Sequence, residues 1–143
     1  MLISQKAIEL IKKFEGCSLK PYCCPAGYPT IGYGHKIAKN ENYAEISCNM
    51  AHDLLLIDLV KVQFSVLNNI YYPLNQNQFS AIVSFTYNVG GAALQRSTLR
   101  QKINYGSLEE VELEMLKWVY VKGQKIAGLI KRRQTEIELF YQC

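Results

Sequence analysis

The feature that most restricts the fold of this chain is a double change in apolar period. Ile8, Ile11 and Phe14 recur at helical spacing behind Ser4, a good N-cap, and predict a first helix over residues 3–15 that stops where Glu15 meets Gly16. From Cys17 to about Ala38 the period shortens and turn formers appear. "CSLKPY" and "PTIGYGHKI" read as strands separated by the turn "CPAGY", which predicts a small antiparallel hairpin or three-stranded sheet. After Ser47 the helical period returns. Helix, small sheet and helical lobe in that order predict an α+β fold with a cleft where the parts meet.

The later helices follow from caps and stops. Ser47 caps a long segment to about Leu67, with Ala51, Leu54, Leu55, Asp58 and Val62 in successive turns. Asn75 with Gln78 forms a capping-box pattern for a helix over about 76–87, stopped by Gly90-Gly91. Ser97 begins a helix to about Tyr105 and Ser107 one to about Tyr120. "AGLIKRRQTEIELFYQ" closes the chain as an amphipathic helix with Leu129, Ile130, Ile137 and Phe140 inward. The expectation is a single domain over 1–143, with a sheet-containing lobe over about 15–46 and a helical lobe over about 47–143 together with helix 3–15.

A chain of 143 residues is long enough to bury a core without metal or disulfide staples. Its net charge of +4 is spread unevenly, about +2 over 1–46, −1 over 47–86 and +3 over 87–143. That suits an anionic polymer substrate and equally a set of solvated helix faces. "IKRR" is too short to argue for nucleic acid, and no groove-reading motif accompanies it. Lys6, Lys12 and Lys13 interrupt what would be the apolar core of a signal peptide, and no apolar run approaches a membrane span, so the expectation is a protein made in the cytoplasm without stable membrane insertion. The five cysteines are odd in number and include the adjacent pair Cys23-Cys24, which argues for reduced thiols over a disulfide framework. A zinc site from Cys23, Cys24, His35 and Cys48 lacks standard ligand spacing.

Glu15 is the first residue with chemistry to offer. It stands at a helix C-terminus beside Phe14, and both the helix dipole and apolar neighbours disfavour an anion there, which is how a general acid is prepared. By itself it reads as an ordinary surface glutamate near a helix end. Cys24 follows nine residues later and Thr30 six after that, inside "TIGYGH". This spacing, together with "IKKFEG", "PAGYPTIGYGH", "LNQNQFSAIVSFTYNVG", "STLRQKIN", Trp118 and "GLIKRRQTE", resembles the phage-type lysozymes, endolysins that cleave bacterial cell walls, over the whole chain.

The resemblance implies a two-lobed lysozyme fold and a peptidoglycan substrate cut at the β-1,4 bond between N-acetylmuramic acid and N-acetylglucosamine. Catalysis would invert the anomeric centre and need no cofactor. It implies Glu15 as general acid, Thr30 as holder of the attacking water, Asn88, Gly32 and Tyr33 as substrate contacts, and a pairing of His35 with Asp58 that ties sheet to helix. It also implies that Arg132 or Arg133 reaches Glu15 while the other is solvated. Asn88 reads equally as a C-cap before the glycines, Gly32 and Gly34 as turn glycines, and Trp118 as packing. A monomer is expected, needing a holin or another export route to reach the wall.

Cys24 departs from the pattern, because many relatives place an aspartate there and others a cysteine. The chain's two aspartates, Asp53 and Asp58, lie on the later helix, and Glu41 and Glu45 fall outside the motif. Glycoside hydrolysis normally uses two carboxyls. A free thiol has a pKa near ~8.5, and Glu15 beside it predicts still less ionisation. Cys24 is therefore expected as a weak base or water-orienting group, with covalent attack second and simple packing under the hairpin as the plain alternative. A cleft thiol is also open to oxidation. Two further readings compete: a non-enzymatic wall- or partner-binding module whose site decayed, and a thiol or zinc protein.

Overall fold

The computed structural model describes residues 1–143. Its elements run α1 (Gln5–Glu15), β1 (Ser18–Cys23), β2 (Pro29–Gly32), β3 (His35–Lys36), α2 (Cys48–Asn69), α3 (Gln76–Val89), α4 (Gly91–Arg96), α5 (Thr98–Asn104), a 3₁₀ turn Leu108–Glu110, α6 (Val111–Met115), β4 (Tyr120–Val121), β5 (Gln124–Lys125) and α7 (Ala127–Phe140). The expected α+β class is borne out. The chain forms two compact units, Glu9–Lys61 and Met1–Ile8 with Val62–Cys143, so the boundaries fall inside α1 and α2.

In the unit Glu9–Lys61 the strands form an antiparallel sheet in the order β1-β2-β3, with Tyr22 opposite Thr30, Thr30 opposite Lys36 and Ile31 opposite His35. The run "PTIGYGHKI" is therefore two strands. Gly32 and Gly34, at φ of +67° and +86°, fold it back at Tyr33 in a backbone conformation that glycine adopts without strain. The sheet is half-buried, and its inner face packs Ile31 with Ile46, Ala51 and Leu54, flanked by Leu19, Tyr33, Ile37 and Tyr43. The segment after β3 returns to the sheet when the Ile46 N–H donates to the Leu19 carbonyl at 2.9 Å. Ser47 then caps α2, its Oγ accepting from the Met50 N–H at 3.1 Å.

The second unit is built on α3, whose residues Phe79 to Phe85 are buried on every side and which packs against α7. The capping box read from the sequence is present: Asn75 accepts from the Gln78 N–H and the Gln78 side chain accepts from the Asn75 N–H. Burial at this density, at roughly 1.5–3 kcal/mol for each large apolar side chain, is what holds the unit. The N-terminal tail is tied in by the Ile3 N–H donating to Gln63 Oε1 and the Ser4 N–H donating to Ser80 Oγ, both at 2.9 Å.

Gly90 ends α3 as its C-cap, as read, and Gly91 opens a separate short helix, α4; a Cβ at Gly91 would stand 2.3 Å from Ser65 Oγ, so glycine is there for close approach. Two expectations need correction here. The segment from Ser107 to Tyr120 is not one helix. It breaks after Met115, and a two-stranded hairpin, β4 with β5, turns at Lys122 and Gly123, with φ of 50° and 80°. On α7, Ile137 and Phe140 are buried as read, but Leu129 and Ile130 are only partly so, and the buried face also holds Arg132, Arg133 and Glu136.

Candidate active site

Glu15 is the last residue of α1 and is half-buried. Gly16, at φ +69°, receives the turn: its N–H donates to the Lys12 carbonyl at 3.0 Å and the chain then enters β1. At the far end of β1, the hairpin closes when the Cys24 N–H donates to the Tyr28 carbonyl at 2.9 Å and the Gly27 N–H to the Cys24 carbonyl at 2.8 Å. Thr30, on β2, is buried, and its Oγ1 donates to the same Tyr28 carbonyl at 2.9 Å. Tyr22 on β1 faces Thr30 across the sheet. Burial, then the charges of Glu15 and Cys24, push the Tyr22 phenol up, so both groups act on one side chain. Glu15, Cys24 and Thr30 thus belong to one neighbourhood within one unit, gathered about Tyr22.

The ionisation of Cys24 differs from the sequence expectation. Its thiol is held below the ordinary value, first by the Tyr28 backbone N–H, against an opposing contribution from burial, then by the Ala26 N–H, the Thr30 hydroxyl and the charge of Lys36. The turn points two amides at the sulfur, which favours the anion there. Cys24 is half-buried and outside the apolar cluster of its unit, so it is not simple packing; Cys23 is exposed, and all five cysteines are free thiols.

His35 pairs with Asp58 as expected, Nδ1 to Oδ2 at 2.8 Å. The sequence reading missed Glu41, which folds back so that His35 Nε2 lies 3.1 Å from both carboxylate oxygens. Glu41 is itself fixed by the Ala38 N–H at 2.8 Å and the Tyr43 hydroxyl at 2.7 Å. Burial alone would lower the His35 pKa, but the hydrogen bonds and charges of Asp58 and Glu41 turn the net direction upward. Two acceptors on two ring nitrogens call for the imidazolium, in which both nitrogens donate. Glu41 falls to about 2, chiefly through the Ala38 N–H and the Tyr43 hydroxyl, with His35 adding to them. Carboxylates occupy both imidazole nitrogens, and the four zinc candidates, Cys23, Cys24, His35 and Cys48, do not gather into a ligand cluster.

The remaining candidates divide. Gly32 is buried, and a Cβ there would meet Ala51 of α2 at 3.5 Å, so turn geometry and close packing account for it. Tyr33 packs on the apolar cluster with Lys12 Nζ 5.5 Å above its ring; burial, followed by Cys17, pushes its phenol up. In the other unit, Asn88 is exposed and accepts from Arg133. It is not the C-cap of α3, a place taken by Gly90.

Neither arginine is solvated, contrary to the expectation for one of them. Arg132 donates to Glu136 at 3.2 Å and to the Ser84 carbonyl at 3.1 Å, while Arg133 lies 3.3 Å from Glu136 and 4.9 Å above the Phe85 ring. Glu136, fully buried, also accepts from Ser84 Oγ at 2.5 Å; burial pushes its carboxyl up, with Arg133 and Arg132 pulling the other way. Trp118 packs edge-on against Phe85 at 5.6 Å, as read.

A helix ending in a glutamate, a short sheet with Thr30 on it and Cys24 in its first turn, and a helical remainder define a lysozyme-like fold. The muramidase domain of SpmX from Asticaccaulis excentricus superposes with a TM-score of 0.91 at 36% identity, covering 99% of each chain. Residues 12–136 match the model of the phage lysozyme family. An endolysin of Acyrthosiphon pisum secondary endosymbiont phage 1 is 41% identical, covering 98% of both chains. An endolysin of Bacillus phage B103 is 42% identical over 98% of this chain, which spans about half of that longer protein, 54%. The chain belongs to the phage lysozyme family, a family of lysozyme-type hydrolases.

Proposed function

We propose that this chain is a muramidase that hydrolyses the β-1,4 bond between N-acetylmuramic acid and N-acetylglucosamine in peptidoglycan, and so lyses bacterial cell walls. Glu15 gives its proton to the departing glycosidic oxygen. A water held against the Thr30 hydroxyl attacks the anomeric carbon from the opposite face, and its proton passes to Cys24. The bond to the leaving sugar breaks as the bond to water oxygen forms, leaving Glu15 ionised and Cys24 protonated; exchange with solvent restores both. The Thr30 hydroxyl divides its hydrogen bond between the Tyr28 carbonyl and Cys24 and keeps lone pairs free to accept from that water. Tyr33 and Asn88 serve as substrate contacts, and no cofactor takes part. No helix of the chain is long and apolar enough to cross a membrane. Delivery to the wall by a holin or another route is part of this proposal.

The observation that carries this reading is the gathering of Glu15, Cys24 and Thr30 about Tyr22. The rival reading, a binding module with a decayed site, draws on the missing aspartate. The environment of Cys24 weighs against it, because the hairpin favours an anion at the position a carboxylate occupies in other members of the family. Purified protein is expected to clear a suspension of cell walls, Glu15→Gln to abolish clearing, and Cys24→Asp to retain it. Wild type as inert as Glu15→Gln, with wall binding preserved in both, would favour the binding module.

A further inference from the structure

We propose that Lys36 is the counter-ion of an anionic Cys24, a positioning residue that lets a thiol stand in for a carboxylate as the second group of the site. The inference rests on the muramidase reading for its catalytic consequence and on the hairpin alone for its geometry. Lys36 lies on β3 directly opposite Thr30, and Thr30 lies on β2 opposite Tyr22, so three adjacent strands carry these side chains in one row. The Lys36 ammonium is 4.6 Å above the ring of Tyr28, the residue whose carbonyl receives both the Cys24 N–H and the Thr30 hydroxyl. Stacking over Tyr28 restrains a long side chain that would otherwise spread its charge over many rotamers, and that charge acts on the Cys24 sulfur.

The titratable and charged groups around the sulfur are few. Tyr22 and Cys23 come from β1, Tyr28 from the turn, Lys36 from β3, and Glu15 from the end of α1 acts on Tyr22. Lys36 is the one cation among them. The Tyr28 and Ala26 amides and the Thr30 hydroxyl supply donors to the sulfur, and they are neutral. Thr30 has one proton to give and two acceptors, the Tyr28 carbonyl and the sulfur, so its share to Cys24 is divided. Lys36 adds a full charge that is not divided, and this gives the thiolate a partner when substrate and water crowd the turn.

The test uses full-length protein in which Cys17, Cys23, Cys48 and Cys143 are replaced by serine, so that iodoacetamide reports on Cys24 alone. Alkylation rate is followed against pH, because the thiolate is the species that reacts. The half-maximal pH is expected to lie below the ordinary thiol range, to rise in Lys36→Met, and to be restored in Lys36→Arg. At pH 7, Lys36→Met is expected to slow alkylation about two- to fivefold, the range for a surface charge pair, and the acidic limb of wall clearing is expected to move with the alkylation midpoint. A midpoint that Lys36→Met leaves in place overturns the proposal whether or not the protein clears walls. Absence of clearing by the protein with Lys36 in place, the alkylation shift in Lys36→Met being intact, counts instead against the muramidase reading, so the two failures are separable.

Discussion

Replacing Asp58 with asparagine asks how the sheet-bearing unit is held, and the structure sets the size of the answer. The change keeps the shape of the side chain and removes the charge that His35 Nδ1 meets at 2.8 Å. A hydrogen bond to a charged group contributes about 1.5–3 kcal/mol. The side chains of His35, Asp58 and Glu41 are 10%, 19% and 23% exposed, and Glu41 stays behind as a second partner, so the loss belongs near the lower end, about 1.5–2 kcal/mol, at pH 6.

With an unfolding entropy of about 2.1 cal/mol/K per residue, each kcal/mol lowers Tm by about 3 °C in a chain of this size, which gives a fall of about 5–7 °C. The pH dependence has a fixed sign. The folded-state pKa of His35 is raised, so its contribution is complete below the unfolded value of 6.5 and is lost as pH rises through the folded one. Urea unfolding followed by circular dichroism at pH 6 and pH 9, for wild type and Asp58→Asn, is the assay. The penalty is expected to shrink at pH 9 to that of a neutral hydrogen bond, about 0.5–1.5 kcal/mol. An equal penalty at the two pH values, or one under about 0.5 kcal/mol at pH 6, would refute the view of His35 as a charged clasp.

Two further substitutions probe each unit separately. Glu41 sits at about 2, below its unfolded value of 4.5, so its contribution is present above pH 4.5 and lost as pH falls toward 2; Glu41→Gln is expected to destabilise at pH 6 and to match wild type at pH 2 in the same urea assay. Glu136→Ala leaves two buried guanidiniums and Ser84 without their shared acceptor and is expected to cost about 3–5 kcal/mol, read as a Tm at least about 10 °C lower by calorimetry.

What could be read from the sequence follows the reach of each signal. Ser4, Ser47, the Asn75 and Gln78 box and Ser97 act within a few residues, and the helices they start begin where expected. The change of period places the sheet, and the family spacing groups Glu15, Cys24 and Thr30. The misreadings arose where a distant partner overrides local pattern. Gly90 stops α3 as read, but the sequence does not show that Gly91 is needed for the approach of Ser65. The helical reading from Ser107 to about Tyr120 left the short hairpin of Tyr120-Val121 and Gln124-Lys125, turning at Lys122-Gly123, unread. One of Arg132 and Arg133 is expected in solvent, since adjacent helix positions point apart, until Glu136 and Ser84 are seen to meet both. Glu41 lies beyond the motif in sequence, yet a turn at Ala38 brings it back onto His35. The ionisation of Cys24 depends on backbone N–H directions in the turn, and no residue spacing encodes those.

The central claim is tested most directly by the chemistry of the ends the protein leaves behind. Purified peptidoglycan is digested, reduced with borohydride and hydrolysed, and the reduced sugar is identified by mass spectrometry. Wild type is expected to yield reduced N-acetylmuramic acid, and Glu15→Gln to yield none above the undigested wall. Reduced N-acetylglucosamine in its place, no new ends from wild type, or the same yield from Glu15→Gln would contradict the account.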